Sequence, residues 1–443
     1  MNQAHRESAT IAVIGGGISG LASAFRLGQL GHRVTLFEGE DFLGGLGTTF
    51  PYRGGDLERF YHCILPDDDA LVRLIHDVGL GQDLLWRETS MGFMYRRRIY
   101  PMNTPIDLLR FGPLSIVDRM RMGWMGLRAR AQGLRPDLDD IPAEEWVRRL
   151  AGDRAFEILW KPLLEAKIGD SYPALPALWL SSRMNREKGG AREVKGCLKS
   201  GYRSLIDALE RALRAQGTEL RMRTRVAAIE RHGERMALRP EGGALEPFDV
   251  VVSTSPLVQF QAMTRGLSLD GGLASLKLDY QGVICGVFLL ERPLSSYYWM
   301  PLVDSGATAQ GVVEMSNLVP LERSDGRYVT YLLNYAHRSG ALFQKSDDEM
   351  FALYRRDLEQ LFPGSERHIL DQFLFRAPFV EPIWTVGYRK QTPPTSVIPG
   401  RLYLACTAQV YPRVNSWNSC CAVVESMLPG LERETANVLE RSA

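Results

Sequence analysis

Short apolar runs alternate with amphipathic ones at the start of the chain, after a mostly polar stretch. Residues 11–14 form an apolar, β-branched run typical of a buried parallel strand. A helix is predicted next, because apolar residues recur at helical spacing at Leu21, Ala24, Phe25 and Leu27. Residues 34–37 form a second apolar run, which stops at Glu38. The start of the chain therefore predicts a strand, a helix and a second strand in that order.

Two later segments repeat this pattern. From residue 201 an amphipathic helix is predicted, with its apolar face at Leu205, Leu209 and Leu213. A strand that reaches Val226 and a β-meander should follow it, and residues 248–256 then form a buried strand that ends in a turn. Near the end of the chain, residues 402–405 predict a strand, and a helix is predicted to begin near Ser416.

Three glycines with the spacing G-x-G-x-x-G separate the first strand from the first helix. Gly15 permits a tight turn, Gly17 lets the backbone approach a pyrophosphate, and Gly20 lets the helix pack closely on the sheet. The pyrophosphate would lie at the positive end of the helix, which Ile18 and Ser19 begin. A simple turn is the alternative, because an isolated match is weak evidence. The surrounding order of strand, helix and strand favours a dinucleotide site.

An acidic residue at the end of the second strand completes the dinucleotide-binding unit. Glu38 is placed to accept hydrogen bonds from the ribose hydroxyls of an adenosine. A carboxylate at this position disfavours a 2′-phosphate, so NADP is not expected there.

Composition and charge narrow the class of protein. A chain of 443 residues exceeds what one hydrophobic core usually supports, so two domains are expected. The net charge of +1 gives no reason to expect a nucleic-acid partner. The first ten residues lack the apolar core of a secretion signal, and no apolar run is long enough to span a bilayer. We therefore expect a cytoplasmic protein.

No metal site is expected. The six cysteines show no C-x-x-C spacing and the seven histidines form no H-x-x-x-H pair. Residues 67–69 are three consecutive aspartates, a pattern that favours a loop tip or a helix start over a metal site.

A second glycine turn follows Glu38 in the stretch FLGGLGTTF, residues 42–50, with Gly44, Gly45 and Leu46 at its centre. With this turn the sequence resembles the superfamily of flavoprotein amine oxidases, protoporphyrinogen oxidases and phytoene desaturases. The resemblance implies FAD as the cofactor, where the first glycine motif alone leaves NAD open. It also implies an α/β fold: a Rossmann-type FAD-binding domain with an inserted α+β substrate domain, as in two-domain flavoproteins related to amine oxidases.

The resemblance extends the cofactor site to two later segments. In relatives, the backbone at the position of Val226 contacts the adenine. The amino end of the last predicted helix points at the N1 and O2 edge of the flavin, where Asn415, Ser416 and Trp417 would lie. Most relatives have Gly-Asp where this chain has Cys406-Thr407, so Thr407 would replace the usual aspartate contact only in part. Cys406 does not stand in the motif that carries a covalent link, and non-covalent FAD is expected.

The domain boundaries implied by the resemblance are discontinuous. Residues 1–60, 200–262 and 390–443 would form the FAD-binding domain. Residues 61–199 and 263–389 would form the substrate domain.

Four stretches resemble a bacterial subgroup called protoporphyrinogen oxidase-like: residues 58–80, 91–111, 297–306 and 312–320. By position, Phe60, Tyr61 and His62 should lie near the flavin, with Phe60 toward the substrate. His62 is the candidate base, or would polarise a substrate oxygen, because its ordinary pKa is about 6.5. Tyr61 is the second catalytic candidate. Packing and hydrogen bonding alone are the alternative for both residues.

Polar residues on later predicted strands are candidates for substrate contacts. These residues are Glu314, Asn317, Tyr331 and Tyr335, which would face the flavin. One solvated face of an antiparallel sheet is the alternative, since such faces alternate polar and apolar residues.

Residues 114–131 combine methionine, tryptophan and arginine in one predicted helix. Such a helix is able to lie on a membrane surface and admit a lipidic substrate, which would place the protein peripherally at the inner face of the membrane. A helix that caps the substrate domain with solvated arginines is the alternative.

The residues and the resemblance together predict an FAD-dependent oxidoreductase: an oxidase, dehydrogenase or desaturase. A hydride would pass to flavin N5 from a small molecule or from a lipid- or sugar-linked substrate. The alternative is a non-redox flavoenzyme of the UDP-galactopyranose mutase type, in which reduced flavin attacks a carbon of a nucleotide sugar. The sequence leaves open the substrate, the electron acceptor and the oligomeric state.

Overall fold

The first predicted strand, Thr10–Ile14, lies inside a six-stranded sheet in the computed structural model, which describes residues 8–186, 193–269 and 271–442. The sheet order is Ser396–Ile398, Leu402–Leu404, Val250–Ser253, Thr10–Ile14, Arg33–Phe37 and Glu219–Arg221. Neighbouring strands are parallel, except that Ser396–Ile398 runs antiparallel to its neighbour. The apolar runs are buried here, as expected for parallel strands, and contact both a helix and the β-meander of residues 226–248.

A seven-stranded sheet forms the second large unit of structure. Its strands, in order, are Ile369–Pro382, Tyr280–Leu290, Tyr328–His337, Gly311–Glu314, Trp299–Val303, Gly92–Tyr95 and Arg98–Pro101. All neighbours are antiparallel except Trp299–Val303 and Gly92–Tyr95, which are parallel. Tyr280–Leu290 is buried along its whole length.

The predicted β-meander is a three-stranded antiparallel sheet of Val226–His232, Arg235–Pro240 and Glu246–Phe248. The prediction that a strand after the helix reaches Val226 was wrong. That strand is Glu219–Arg221, and the chain turns at Arg223, where φ is +51°, before Val226 begins the meander. Two antiparallel pairs complete the strands: the hairpin of Thr49–Tyr52 with Gly55–Glu58, and the pair of Leu84–Thr89 with the distant Glu193–Leu198.

Three helices pack together beside the six-stranded sheet: Ile18–Gln29, Tyr202–Ala215 and Trp417–Ser442. The last of them begins one residue after the predicted start. The other helices are Asp69–Asp77, Pro105–Arg110, Ile116–Gln132, Ala143–Ala151, Asp153–Ala155, Lys161–Ile168, Ala177–Arg186, Leu257–Met263, Gly271–Ser275 and Asp347–Leu361. A short π-helical segment, Phe156–Trp160, joins two of them.

The two large sheets take their strands from different parts of the chain. Every strand of the six-stranded sheet lies in residues 1–60, 200–262 or 390–443, and every strand of the seven-stranded sheet lies in residues 61–199 or 263–389. The hairpin of residues 49–58 crosses this division, because Phe50 packs 4.6 Å from the ring of Phe373 in the seven-stranded sheet. The boundaries between two domains stay a prediction.

A buried ion pair ties that hairpin to both halves of the chain. Arg323 donates to Glu58 over 2.8 Å, and the backbone N–H of Tyr202 donates to the same carboxylate over 3.1 Å. The two side chains are only 10% and 2% exposed. Gly201 leaves room for the pair, because a Cβ there would lie 2.1 Å from the Arg323 guanidinium. The ion pair therefore fixes the start of the helix Tyr202–Ala215 against the hairpin.

Replacing Arg323 by Met should destabilise the protein strongly, because the buried Glu58 carboxylate would lose its cation. We expect the free energy of unfolding in urea to fall by about 3–5 kcal/mol. Arg214→Met is the matched control: Arg214 pairs with Glu210 on the surface with 60% of its side chain exposed, and should cost less than about 1 kcal/mol. Equal losses in the two variants would contradict the role given to the Glu58–Arg323 pair.

Candidate cofactor and substrate site

One cavity of about 1520 Å³ receives residues from both large sheets. Its cofactor wall is built by the two glycine turns and the acid after the second strand: Gly15, Gly17, Ile18, Ser19, Glu38, Gly44, Gly45 and Leu46. We call another part of the cavity the chamber, lined by Tyr61, Lys167, Arg183, Cys285, Trp299, Tyr335 and Glu381. The cofactor wall and the chamber belong to the same continuous space.

The first glycine turn has the geometry that the sequence predicts. Gly15 has a φ of +102° and its N–H donates to the carbonyl of Phe37 over 2.8 Å. Gly20 does not line the cavity, since it packs against the turn: a Cβ at Gly20 would lie 1.7 Å from the carbonyl oxygen of Gly15. This close approach sets the start of the helix Ile18–Gln29 directly beyond the first strand.

The backbone around Gly17 forms a cradle that suits a pyrophosphate. Gly17 precedes the helix, and no side chain caps the helix N-terminus, which leaves its first N–H groups for an anion. A Cβ at Gly17 would meet no atom closer than 3.9 Å, the Cα of Gly45, and would stand in the space of the cavity wall. The cradle thus has room for a ligand where a side chain is missing.

The second glycine turn lies against the first. Gly44 donates its N–H to the carbonyl of Gly16 over 2.8 Å, and Gly44 and Gly45 both have positive φ. A Cβ at Gly44 would lie 2.4 Å from Ile206, so the turn needs glycine for space as well as for conformation.

Glu38 is held in place beside these turns. Its Oε2 accepts the N–H of Gly16 over 2.6 Å, and its Oε1 accepts the N–H of Glu40 over 2.9 Å. The carboxylate therefore orients the glycine turn and lines the cavity. Its predicted contact with the ribose stays a prediction.

The later cofactor segments also reach the cavity. Val226, Thr407, Asn415, Ser416 and Trp417 line it, as the resemblance implies. Asn415 donates its side-chain amide to the carbonyl of Val380, which joins the loop before the last helix to the seven-stranded sheet. Trp417 packs on the second glycine turn, since a Cβ at Gly47 would lie 1.9 Å from its ring.

His62 lies between two aromatic rings on the cavity wall. Its ring centre is 5.2 Å from that of Tyr202 and 5.6 Å from that of Trp417. Nδ1 is 2.9 Å from the carbonyl of Phe60, which assigns the proton to Nδ1 and leaves Nε2 as a hydrogen-bond acceptor. Burial, which outweighs the hydrogen bond to Phe60, lowers the pKa of His62, so the ring is neutral at pH 7.

Tyr61 and Tyr335 bring two hydroxyl groups together in the chamber, 3.5 Å apart. Trp299 stacks on Tyr61 at 6.1 Å between ring centres. Burial raises the pKa of Tyr61 well above its ordinary value and that of Tyr335 to about 12. Both groups are therefore neutral phenols at pH 7 and able to donate a hydrogen bond to a substrate. Phe60 lines the cavity beside them.

The chamber also holds an ion pair between the buried Glu381 and the partly exposed Lys167, which the sequence did not predict. The Nζ of Lys167 lies 2.9 Å from Oε2 of Glu381 and 3.9 Å from the ring centre of Tyr335. The other oxygen of Glu381, Oε1, accepts no hydrogen bond from the part of the chain that the structure describes. No sequence motif signals this pair, because it joins the helix Lys161–Ile168 to a distant strand.

Three predicted substrate residues do not line the cavity. Glu314 accepts the N–H of Leu294 over 2.8 Å, and burial raises its pKa to about 7. Asn317 donates to the carbonyls of Ser295 and Tyr297, and Tyr331 donates to the carbonyl of Glu58 over 2.7 Å. The structure gives these side chains bonds within the protein instead of places on the wall. Of the four candidates only Tyr335 reaches the cavity.

Position along the strand explains the difference between Tyr331 and Tyr335. Residues four apart on a strand point to the same face but lie about 13 Å apart, so one of them reaches a site that the other misses.

Within residues 8–186, 193–269 and 271–442, no three His, Cys, Asp or Glu side chains are grouped to hold a metal ion.

Comparisons with known proteins agree with this geometry. The sequence profile of a family described as flavin-containing amine oxidoreductase matches residues 18–410. A coproporphyrinogen III oxidase of Staphylococcus aureus is 22% identical over 91% of this chain and 93% of its own length. A chloroplastic/chromoplastic zeta-carotene desaturase of Zea mays is 27% identical over 34% of this chain and 31% of its own length.

A solved structure shows the same fold. It is a protein from Exiguobacterium sp. 255-15 provisionally described as a protoporphyrinogen oxidase, with a TM-score of 0.76 and 21% identity over 97% of this chain and 99% of that one. The family match confirms the predicted resemblance and the FAD cofactor, and the solved structure confirms the predicted fold class. The roles of single site residues stay predictions.

Gly17→Val and Gly20→Val should separate cofactor binding from folding. Gly17 has extended backbone angles that valine adopts, so this variant should fold with an unchanged melting temperature without FAD. Its side chain would occupy the cradle, and FAD affinity should fall by about 100-fold or more, equal to roughly 2.8 kcal/mol. Gly20→Val should fail to fold because its Cβ meets the Gly15 carbonyl. Thermal melting measures folding of the two variants, and fluorescence titration measures their affinity for FAD. An FAD affinity of Gly17→Val equal to that of the wild type would contradict the role of the cradle in binding FAD.

Proposed function

The chain belongs to the flavin-containing amine oxidoreductase family, and we propose that this FAD-dependent oxidoreductase oxidises a large, mainly apolar substrate in the chamber. The observation that carries the proposal is the continuity of the chamber with the cofactor wall in one cavity. Such continuity allows a substrate carbon and the cofactor to meet without leaving the protein interior.

The cofactor wall provides the groups that would hold FAD. The N-terminus of the helix Ile18–Gln29 and the cradle at Gly17 suit its pyrophosphate, and Glu38 suits the adenosine ribose. The N-terminus of the helix Trp417–Ser442 lies on the same cavity, with Ser416 and Trp417 at its start. When bound, FAD supplies the acceptor for a hydride that leaves a substrate carbon.

The chain's own residues have two tasks in this reaction. Loss of a hydride from carbon is accompanied by loss of a proton from the neighbouring nitrogen, oxygen or carbon, and a double bond forms between the two atoms. Nε2 of His62 is a neutral acceptor on the cavity wall and takes that proton. The hydroxyls of Tyr61 and Tyr335 orient polar groups of the substrate. Trp299, which is stacked on Tyr61, helps to exclude water.

The walls of the cavity favour a bulky substrate with apolar surface. Aliphatic and aromatic side chains line much of the cavity outside the chamber, among them Trp160, Leu163, Leu164, Trp179 and Leu333. The relatives named above are an oxidase named for a porphyrinogen and a desaturase named for a carotene. We extend the proposal to lipid- or sugar-linked molecules that reach the enzyme at a membrane surface.

The mutase alternative receives no support. The family match favours redox chemistry, and neither the geometry of the cavity nor the relatives named above favours attack on a nucleotide sugar.

Anaerobic mixing tests the redox proposal directly. The FAD-loaded protein is mixed with a panel of porphyrinogens, polyenes, alcohols and amines. A compound that the enzyme oxidises should bleach the long-wavelength absorption band of the flavin. Readmission of an electron acceptor should restore the absorbance. No bleaching across the panel, together with conversion of a nucleotide sugar only after dithionite reduction, would replace the proposal by the mutase reaction.

His62→Gln tests the proton acceptor. The variant should keep FAD binding but lose about 100-fold or more in the rate of flavin bleaching with the active compound. Because burial lowers the pKa of His62, the wild-type rate should stay constant at neutral pH and fall only below pH 6.5, where the ring becomes protonated. The variant should lack this acidic fall. An unchanged acidic fall in His62→Gln would assign the titration to another group.

A further inference from the structure

An exposed apolar surface covers two neighbouring helices, Pro105–Arg110 and Ile116–Gln132. Most of the exposed large apolar side chains within residues 8–186, 193–269 and 271–442 belong to this region or follow it directly. These are eight of the twelve: Ile106, Leu109, Ile116, Val117, Met120, Trp124, Leu127 and Leu134. Met120 is 65% and Trp124 59% exposed, which is unusual for side chains of this size. A contiguous group of this kind marks an interaction surface.

The longer helix carries two apolar faces. At about 100° per residue, the exposed apolar residues of this helix occupy one arc of about 100°: Ile116, Val117, Met120, Trp124 and Leu127. Met122, Met125 and Ala129 lie on another side and are buried against the protein. The core therefore accounts for one face of the helix, and the second has no partner within the described chain.

Positive charge flanks the outer apolar arc. On the same helical projection, Arg121 and Arg128 lie along one border, and Arg119 and Arg130 lie along the other. Residues 104–135 contain six arginines, two aspartates and no lysine or glutamate. The stretch therefore presents an apolar strip between cationic margins.

The two aspartates do not offset this charge on the surface. They serve the helix starts, where Asp107 forms a capping box with Thr104 and Asp118 forms one with Ser115. Their carboxylates accept backbone N–H groups there.

The same helices form part of the cavity wall. Pro105 and Leu108 of the shorter helix line the cavity, as do Gly123, Gly126 and Leu127 of the longer one. A Cβ at Gly123 or Gly126 would meet no atom within 4 Å, so this side of the helix borders open space. The apolar strip and the cavity wall therefore meet at Leu127.

We propose that the outer faces of Pro105–Arg110 and Ile116–Gln132 dock on an anionic lipid bilayer, and that an apolar substrate passes from the lipid into the cavity beside Gly123 and Gly126. The passage of substrate rests on the proposed function, whereas the docking does not. Apolar side chains insert into the acyl boundary while arginines bind the headgroup phosphates, as in interfacial helices. Among the helices in the described ranges, none has the length and hydropathy to cross a bilayer.

Charge favours a bilayer over a second copy of the chain. Two copies meeting through this face would bring arginine margins together, and residues 104–135 offer no free acidic cluster to neutralise them. An anionic lipid surface supplies many phosphates next to an apolar layer, which complements both parts of the face.

Vesicle sedimentation tests the docking. The full-length FAD-loaded protein is mixed with vesicles of phosphatidylglycerol and phosphatidylcholine, or of phosphatidylcholine alone. The wild type should bind the anionic vesicles at least tenfold more tightly than the neutral ones, and binding should weaken as salt rises. The double variant Met120→Glu with Trp124→Glu should bind the anionic vesicles at least tenfold more weakly than the wild type does. Leu370→Glu, which changes an exposed leucine on the seven-stranded sheet, should bind like the wild type.

The flavin spectrum and its bleaching are recorded on the same samples. Met120 and Trp124 do not line the cavity, so the double variant should keep FAD and its bleaching in the absence of lipid. Failure of the wild type to bind anionic vesicles would overturn the docking and leave the oxidoreductase standing. The docking on lipid would also be overturned if the wild type formed concentration-dependent dimers and the double variant did not, because the face would then bind a second copy of the chain. Retained docking with no bleaching by any compound would instead count against the proposed function.

Discussion

The closeness of Gly20 to the carbonyl of Gly15 is the contact on which the cofactor site depends. No side chain fits there, so the helix Ile18–Gln29 starts at the end of the first strand and presents its unpaired N–H groups to the cavity. The second glycine turn bonds to the first through Gly44 and Gly16 and follows it in position. Glu38 secures the same turn from the next strand. The space for a dinucleotide is thus defined by missing side chains and by backbone bonds.

A second constraint links this space to the chamber. The buried pair of Glu58 and Arg323 fixes the start of the helix that carries Tyr202. Tyr202 and Trp417 come from two distant segments and enclose the ring of His62, which sits on a third. Asn415 adds a bond between the last cofactor segment and the seven-stranded sheet. The groups that orient the histidine therefore come from the predicted FAD-binding half, and the bonds of Arg323 and Val380 connect that half to the other.

The first part of the cofactor site, residues 11–46, could be predicted because its signals are local, whereas Val226, Thr407 and residues 415–417 came from the resemblance and their roles stay predictions. Glycine spacing, apolar runs and the acid at Glu38 each act within about thirty residues, and all of the predicted cofactor residues line the cavity except Gly20, which shapes it by packing. Val226 lines the cavity, although the strand predicted to reach it ends at Arg221 and the chain turns at Arg223; its contact with the adenine stays a prediction. The residues of the chamber were harder to predict from the sequence. Lys167 and Glu381 meet only in three dimensions, and Glu314, Asn317 and Tyr331 show that polar residues on strands do not reveal which ones reach a cavity.

The interleaved strand order also has a consequence for how the protein is made. The central strand Thr10–Ile14 pairs with Val250–Ser253, which in turn pairs with Leu402–Leu404. During synthesis the strand Thr10–Ile14 must wait, with one edge unpaired, until Val250–Ser253 has left the ribosome, and Val250–Ser253 must then wait for Leu402–Leu404. Contacts so distant in sequence slow folding and expose the nascent chain to aggregation. Because Asn415, Ser416 and Trp417 reach the cavity from the same late part of the chain, we expect the complete cofactor site to form only after the strand Leu402–Leu404 has joined the sheet.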